Sequence, residues 1–183
     1  MKNKQQGSLY RLLISSLAGF IGLTSFSCVS QDLIDGRYLI NVDGTVTDIE
    51  TKLTWQRCSI GQRWDGRTCT GETVVLTWDD ANKIGDGSWR QPTIEELRTL
   101  VYCSNDEQYG MQKNYKTCGD VESYQSPTIN IQAFPNTPDS WYWSSTPYGD
   151  RSDYAYIVSF LYGFIDGYNK NNDGRVRLVQ AKQ

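Results

Sequence analysis

The chain has 183 residues, with 18 Lys and Arg against 21 Asp and Glu, no histidine and five cysteines. The length points to one domain, and a 13% aromatic content supplies material for a core. Without histidine there is no commonest general base, no commonest transition-metal ligand and no Ser-His or Cys-His dyad; the acidic balance and the lack of a basic stripe argue against nucleic acid as a partner.

Residues 1–27 read as a signal peptide. Lys2, Lys4 and Arg11 form a basic start, and Leu12 to Phe26 is an apolar run short for a membrane span. Ser25-Phe26-Ser27 is a small-x-small cleavage signal, so the mature protein is expected to be exported. Cys28 follows directly. It is either the lipidation site of a bacterial lipoprotein or a cysteine beside a simple cut, and it is the one membrane attachment the sequence offers. Residues 28–36 read as a linker and 37–183 as the ligand-binding domain.

Tyr38 to Thr47 reads as a hairpin around Asp43-Gly44, a pair favoured in type I′ turns. Leu53 and Trp55 suggest a strand with alternating burial. Residues 61–71 form a polar loop between Cys58 and Cys69. Thr77 can cap a first helix carrying Asp79 and Asp80 in its first turn and stopped by Gly85; Trp78, Ala81 and Ile84 share a face. Thr93 and Glu96 make a capping box for a second helix, with Ile94, Leu97, Leu100 and Val101 as its apolar stripe. Asn105 to Thr128 is a long polar loop. Strands are expected at about 141–145, 154–161 and 175–180. Four of the cysteines allow three connectivities, and the sequence-adjacent pairs Cys58–Cys69 and Cys103–Cys118 are the expected disulfides of an exported protein. Their spacing suits a metal site poorly.

Six segments resemble one bacterial family in order and spacing: NVDGTVTDIETKLTWQRC at 41–58, WDDA at 78–81, WRQPTIEEL at 89–97, FP at 134–135, YWSST at 142–146 and GRVRLV at 174–179. Together they resemble the C-terminal domain of the Legionella collagen-like protein, over about 35–180. The resemblance implies an α+β domain of the C-type lectin-like fold, in the branch of the formylglycine-generating enzymes. That fold has paired terminal strands, two short helices, a small antiparallel sheet and long loops. It implies binding more than chemistry, since the founding domain is an adhesin module for sulfated polysaccharides; this chain departs from it in being acidic and lacking a collagen repeat. Residues 143–179 are also similar to the variable region of lipoproteins diversified by a retroelement, in which Asn-type codons are rewritten between a fixed WSS and a fixed RVR.

Between those two frames the chain is rich in Tyr, Asp, Asn, Ser and Gly, the residue types of adaptable recognition surfaces. Period-two alternation puts Tyr156, Val158 and Phe160 on one face of a strand and Ile157, Ser159 and Leu161 on the other. If the first set is core, Ile157, Leu161, Tyr162 and Phe164 cluster outside, rimmed by Asp150, Arg151, Asp153 and Asp166, with Tyr148, Tyr154 and Tyr168 as rigid anchors. The competing expectation is a strand buried on both faces. Trp55, Trp78, Trp89 and Trp143 are expected to pack in the core, while Trp64 and Trp141 are ambiguous. Arg175 and Arg177 either bind an anion or pair with an internal acid.

No catalytic residue, metal ligand or cofactor is assigned. Gln91-Pro92-Thr93 and the run Asn169, Asn171, Asp173 and Gly174 are only partial echoes of calcium motifs, the second lacking a Glu at its twelfth position. Asp150 and Asp153 are a carboxylate pair without a visible enclosure, and formylglycine-type catalysis needs C-terminal cysteines that are missing after Cys118. The expected function is therefore an exported, non-enzymatic surface receptor or adhesin for a cell-surface glycan or protein. The alternatives are an envelope structural protein and a degenerate enzyme of the same fold.

Overall fold

A five-stranded antiparallel sheet closes one side of the domain. Its strands are β1 (Leu33–Ile34), β2 (Tyr38–Ile40), β3 (Thr45–Asp48), β4 (Leu53–Gln56) and β10 (Val179–Ala181), in that spatial order. The computed structural model describes residues 33–104, 118 and 124–181. The expected signal peptide and Cys28 lie outside the described residues, as does most of the polar loop after Asn105. Residues Gln31–Gln183 form one compact unit.

Alternation decides which side of this sheet is wet. Leu53 and Trp55 are buried while Thr54 and Gln56 are half-exposed. Val46, Trp55 and Val179 lie opposite one another on β3, β4 and β10, and all three are fully buried. The C-terminal strand thus completes a hydrophobic row begun more than a hundred residues earlier. Asp48, buried at the end of β3, takes a hydrogen bond of 2.5 Å from Arg37.

Two turns differ from the sequence expectation. The linker expected at 28–36 contains β1, joined to β2 through Asp35 and Gly36, which both have positive φ. Asp35-Gly36 is therefore the Asp-Gly pair with the backbone a type I′ turn requires. At Asp43-Gly44 only the glycine has positive φ. The β2–β3 connection is a longer loop, closed by Asn41 N–H on the Thr45 carbonyl at 3.1 Å and by Asp43 Oδ1 accepting from Thr45.

Both helices form where their caps foretell, each one turn long. Helix α1 spans Trp78–Ala81 and is capped by the Thr77 hydroxyl. Helix α2 spans Ile94–Leu97 with a complete capping box between Thr93 and Glu96, and continues as a 3₁₀ turn, Arg98–Leu100. Ile94, Leu97 and Leu100 are buried in the core cluster. The polar loop at 61–71 contains a small hairpin, β5 (Arg63–Trp64) with β6 (Cys69–Thr70).

The second main sheet holds β7 (Trp141–Pro147), β8 (Tyr154–Ser159) and β9 (Phe164–Asn169), antiparallel and in that order. Strand β9 was not expected from the sequence. The strand expected at 175–180 narrows to Val179–Ala181. Residues 175–178 instead run extended between two neighbours. The Trp143 amide donates to the Arg175 carbonyl and the Arg175 amide to Trp141, while Ile60 and Gln56 donate to Val176 and Leu178.

This three-stranded sheet is covered on both faces. Tyr142, Val158 and Phe160 belong to a core cluster shared with α2 and the five-stranded sheet. Trp143, Ala155 and Ile157 belong to a second cluster with Ala81, Val176 and Leu178. A central strand between two cores reads as an apolar run rather than as an alternation.

Candidate functional site

The segment 148–168 forms the β7–β8 turn, all of β8, the β8–β9 turn and most of β9. At its first turn, Tyr148 N–H donates to the Tyr154 carbonyl, Arg151 N–H to Tyr148 and Tyr154 N–H to Arg151. This ladder holds Gly149, Asp150, Arg151, Ser152 and Asp153 out into solvent. The Tyr148 ring packs on Tyr156 at 4.6 Å between centroids and lies 6.5 Å from Tyr154. The Arg151 guanidinium caps the Tyr154 ring at 3.4 Å from its centroid, a cation–π contact. Across the sheet, Gly167 sits opposite Tyr156, and a Cβ there would come within 2.6 Å of the Tyr148 ring. Glycine at 167 is what lets that ring lie down on β9.

A second patch lies at the other end of the hairpin. Tyr162 and Phe164 stack with centroids 5.8 Å apart and planes 17° from parallel, next to half-buried Leu161. Gly163 turns the chain at φ 75°, and a Cβ on it would meet Cys118 Sγ at 2.7 Å. The Cys118 amide donates to the Tyr162 carbonyl. The second disulfide therefore backs this patch.

Two expected surface residues are inside. Ile157 is 2% exposed and Ser159 fully buried, so neither meets solvent. The physical reason is the second core: the face opposite Val158 packs against Trp143, Val176 and Leu178 rather than against water. The single apolar cluster expected from the sequence is thus two patches, with the buried middle of β8 between them. Tyr168 belongs to neither. It packs edge-on against Trp141 at 4.3 Å and lies 5.6 Å from Trp143. Tyr156, expected in the core, is half-exposed and joins the first patch. Its placement, and that of Gly167, was missed because β9 was missed, and no apolar alternation marks 164–169.

Asp150, Asp153 and Asp166 are exposed and form no ion pair among the described residues. Asp166 Oδ1 accepts the Gly167 amide at 2.7 Å, which occupies a donor that an edge strand otherwise offers to another chain. Lys170 donates to the Ser152 carbonyl at 2.7 Å and lies 4.1 Å from the centre of the Trp78 ring.

The frame residues are structural. Trp55 and Trp143 are fully buried, and Trp78 and Trp89 pack half-buried against the second cluster. Arg177 is fully buried and, among the described residues, pairs with no acid, contrary to one expectation. It donates to the Gln56 and Arg57 carbonyls and to the hydroxyls of Ser59 and Thr137, and lies 4.8 Å from the centre of the Phe134 ring. Burial lowers its pKa, with the neighbouring Tyr142 opposing that shift. Arg175 donates to the Thr73 hydroxyl at 2.8 Å and to the Ser140 hydroxyl. The calcium echoes are accounted for locally: Thr93 caps α2, and Asn169 Oδ1 accepts the Asn171 amide at 3.0 Å. No group of three or more His, Cys, Asp or Glu able to hold a metal occurs among the described residues.

Both sequence-adjacent disulfides form, Cys58–Cys69 and Cys103–Cys118. With the frame motifs, the capping box and the paired cysteines in place, the family model of the Lcl C-terminal domain matches residues 44–180. The chain belongs to the Lcl C-terminal domain family. In this Lcl domain the matched region runs from the Gly44 turn into β10, so it takes in the three-stranded sheet, both helices and both aromatic patches, and leaves β1 and β2 outside. No curated protein and no solved structure matches the chain.

Proposed function

We propose that this protein is an exported bacterial surface-binding protein, receptor-like or adhesin-like, that recognises a glycan or a protein through the solvent-facing parts of 148–168. The observation that carries this reading is the pair of aromatic patches on the rigid β8–β9 hairpin. Tyr148, Tyr154 and Tyr156 with Arg151 form one, and Leu161, Tyr162 and Phe164 the other. Rigid aromatics give contact area at small entropic cost, and the exposed carboxylates of Asp150, Asp153 and Asp166, which form no ion pair among the described residues, can set specificity. Membership of the Lcl family agrees with a surface role. The domain is read as C-type lectin-like, supported by its two short helices and the small sheet under the irregular segment; against the expectation of paired terminal strands, β1 and β10 lie at opposite edges of the five-stranded sheet, with β10 on β4. Cys28 is the proposed lipid attachment point, and the role is binding rather than catalysis.

The retroelement reading becomes narrower once burial is considered. Diversified codons would fall at Tyr148, Asp150, Arg151, Asp153, Tyr154 and along β9, and would spare Ala155, Ile157, Val158 and Ser159. Sequencing the gene's 3′ end across a population tests this: variation centred on the buried positions sinks it.

The binding reading is tested with a panel of glycans and host-matrix proteins presented to the wild type and to the Leu161→Ser/Tyr162→Ser and Arg151→Ala/Tyr154→Ser variants. Loss of a wild-type interaction in folded variants supports it. Unchanged binding in both pairs, or unfolding of both, overturns the assignment.

A further inference from the structure

The face remote in sequence from that hairpin carries a groove of about 370 Å³, lined by Asp43, Gly44, Gln56, Arg63, Trp64 and Trp89 among others. Its volume falls in the roughly 300–1,000 Å³ range of small-ligand sites. We propose that this groove is a carbohydrate subsite for a neutral pyranose ring, separate from the 148–168 surface and independent of the reading given to it.

Trp64 is held as a platform. It packs against Gly44, where a Cβ would lie 2.6 Å from the indole. The Arg57 guanidinium sits 4.3 Å from the ring centre, and is itself fixed by the Ala133 and Gln132 carbonyls. The strand carrying Trp64 pairs with Cys69, which the first disulfide ties to Cys58. Asn136 donates to the Cys69 carbonyl at 2.7 Å, and the Gln62 amide donates to the Asn136 carbonyl at 3.0 Å. The indole is therefore pre-positioned, and binding costs little ordering.

The polar wall suits sugar hydroxyls. Among the described residues the Gln56 amide, the Arg63 guanidinium, the Trp64 indole N–H and Asp43 Oδ2 hydrogen-bond to no side chain. Amide, guanidinium and carboxylate are planar, multidentate groups that match pairs of neighbouring hydroxyls, while the apolar C–H face of a pyranose matches an indole. The charge argues for a neutral ring. Among the described residues that line the groove, Arg63 is the one cation, and Asp43 opposes it; a sulfated chain calls for clustered cations.

The test is titration of the full chain with lactose, N,N′-diacetylchitobiose and a heparin hexasaccharide, read from the indole N–H cross-peaks in ¹⁵N–¹H spectra. A neutral disaccharide is expected to shift the Trp64 indole signal. Affinity is expected to fall about tenfold in Trp64→Ala and about threefold in Arg63→Ala, the sizes of an aromatic anchor and a single hydrogen bond. Leu161→Ser/Tyr162→Ser should leave it unchanged. If Trp64→Ala disturbs the fold, the exposed Arg63→Ala keeps the test intact. The proposal is overturned if neither disaccharide moves the Trp64 signal, if only the heparin hexasaccharide binds, or if binding survives Arg63→Ala and is lost in the 161/162 variant. That last outcome would assign the sugar to the hairpin instead.

Discussion

Arg177 and Arg151 both lie beside aromatic rings, in regions of similar composition, yet they sit in opposite physical settings. Around Arg177 the C-terminal strand, the 56–59 segment and the 134–142 segment close on a guanidinium with no solvent exposure and four protein acceptors. Around Arg151 the guanidinium lies on Tyr154 at an exposed turn. The first arrangement is a clasp that holds the two ends of the domain together. The second is a surface whose rings are braced from below and open above. The difference teaches that Tyr, Trp and Arg do not by themselves mark recognition; the number of protein acceptors around each one separates frame from surface.

Replacing Arg177 with Met tests the clasp and should have the largest effect. It removes the donors facing the Gln56 and Arg57 carbonyls, and buried acceptors without partners are costly. We expect about 3–5 kcal/mol of lost stability in urea unfolding. Arg151→Ala, on the other region, should lie within about 0.5 kcal/mol of the wild type in the same assay. Equal effects at the two arginines would erase the distinction.

The Cys58→Ala/Cys69→Ala variant comes next. Opening this loop should cost about 3 kcal/mol on the chain-entropy account, again read from the urea midpoint. Gly167→Ala sharpens the surface side of the comparison. A methyl there displaces the Tyr148 ring, for about 1–2 kcal/mol. Calorimetry on this variant should also show weakened binding to any ligand of the first patch, and full binding would show that the ring's position is irrelevant.

The smallest effect is electrostatic. Burial alone would raise the Asp48 and Glu96 carboxyls, but hydrogen bonds from Arg37 and Thr51 to Asp48, and from Arg90 and the Thr93 amide to Glu96, hold both below their ordinary values of 3.8 and 4.5. A depressed carboxyl adds stability that is complete above its unfolded pKa and is lost as pH falls through the folded one. The urea midpoint should therefore drop as pH falls below about 5, through and beneath the ordinary values of the two carboxyls. Glu96→Gln should flatten part of that drop and cost under about 1 kcal/mol at neutral pH, because the Arg90 partner is exposed.

Local signals were legible where their cause is local. Thr93 and Glu96 announce a helix start through hydrogen bonds within four residues, and both disulfides join neighbouring cysteines. Leu53 and Trp55 alternate because their sheet has one wet face. Ile157 and Ser159 misled because alternation assumes such a face, and β8 has none. Phe164–Asn169 went unread as a strand because Gly, Asp and Asn suppress β propensity, while six paired positions along β8 override it. The type I′ signal was legible at Asp35-Gly36 as well as at Asp43-Gly44. The choice between them depended on the register β1 adopts.

By itself the sequence determined the two capped helices, the cysteine pairing, the family and the segment between the Trp143 and Arg177 frames where exposed aromatics gather. Each follows from contacts between near neighbours or from ordered motifs. Only the tertiary structure decided which of those aromatics face water, that the surface is two patches rather than one, and that Arg177 donates to carbonyls and hydroxyls instead of pairing with an acid. Those outcomes depend on which remote segment packs over a given face, and burial is a property of that packing, not of the residues that undergo it.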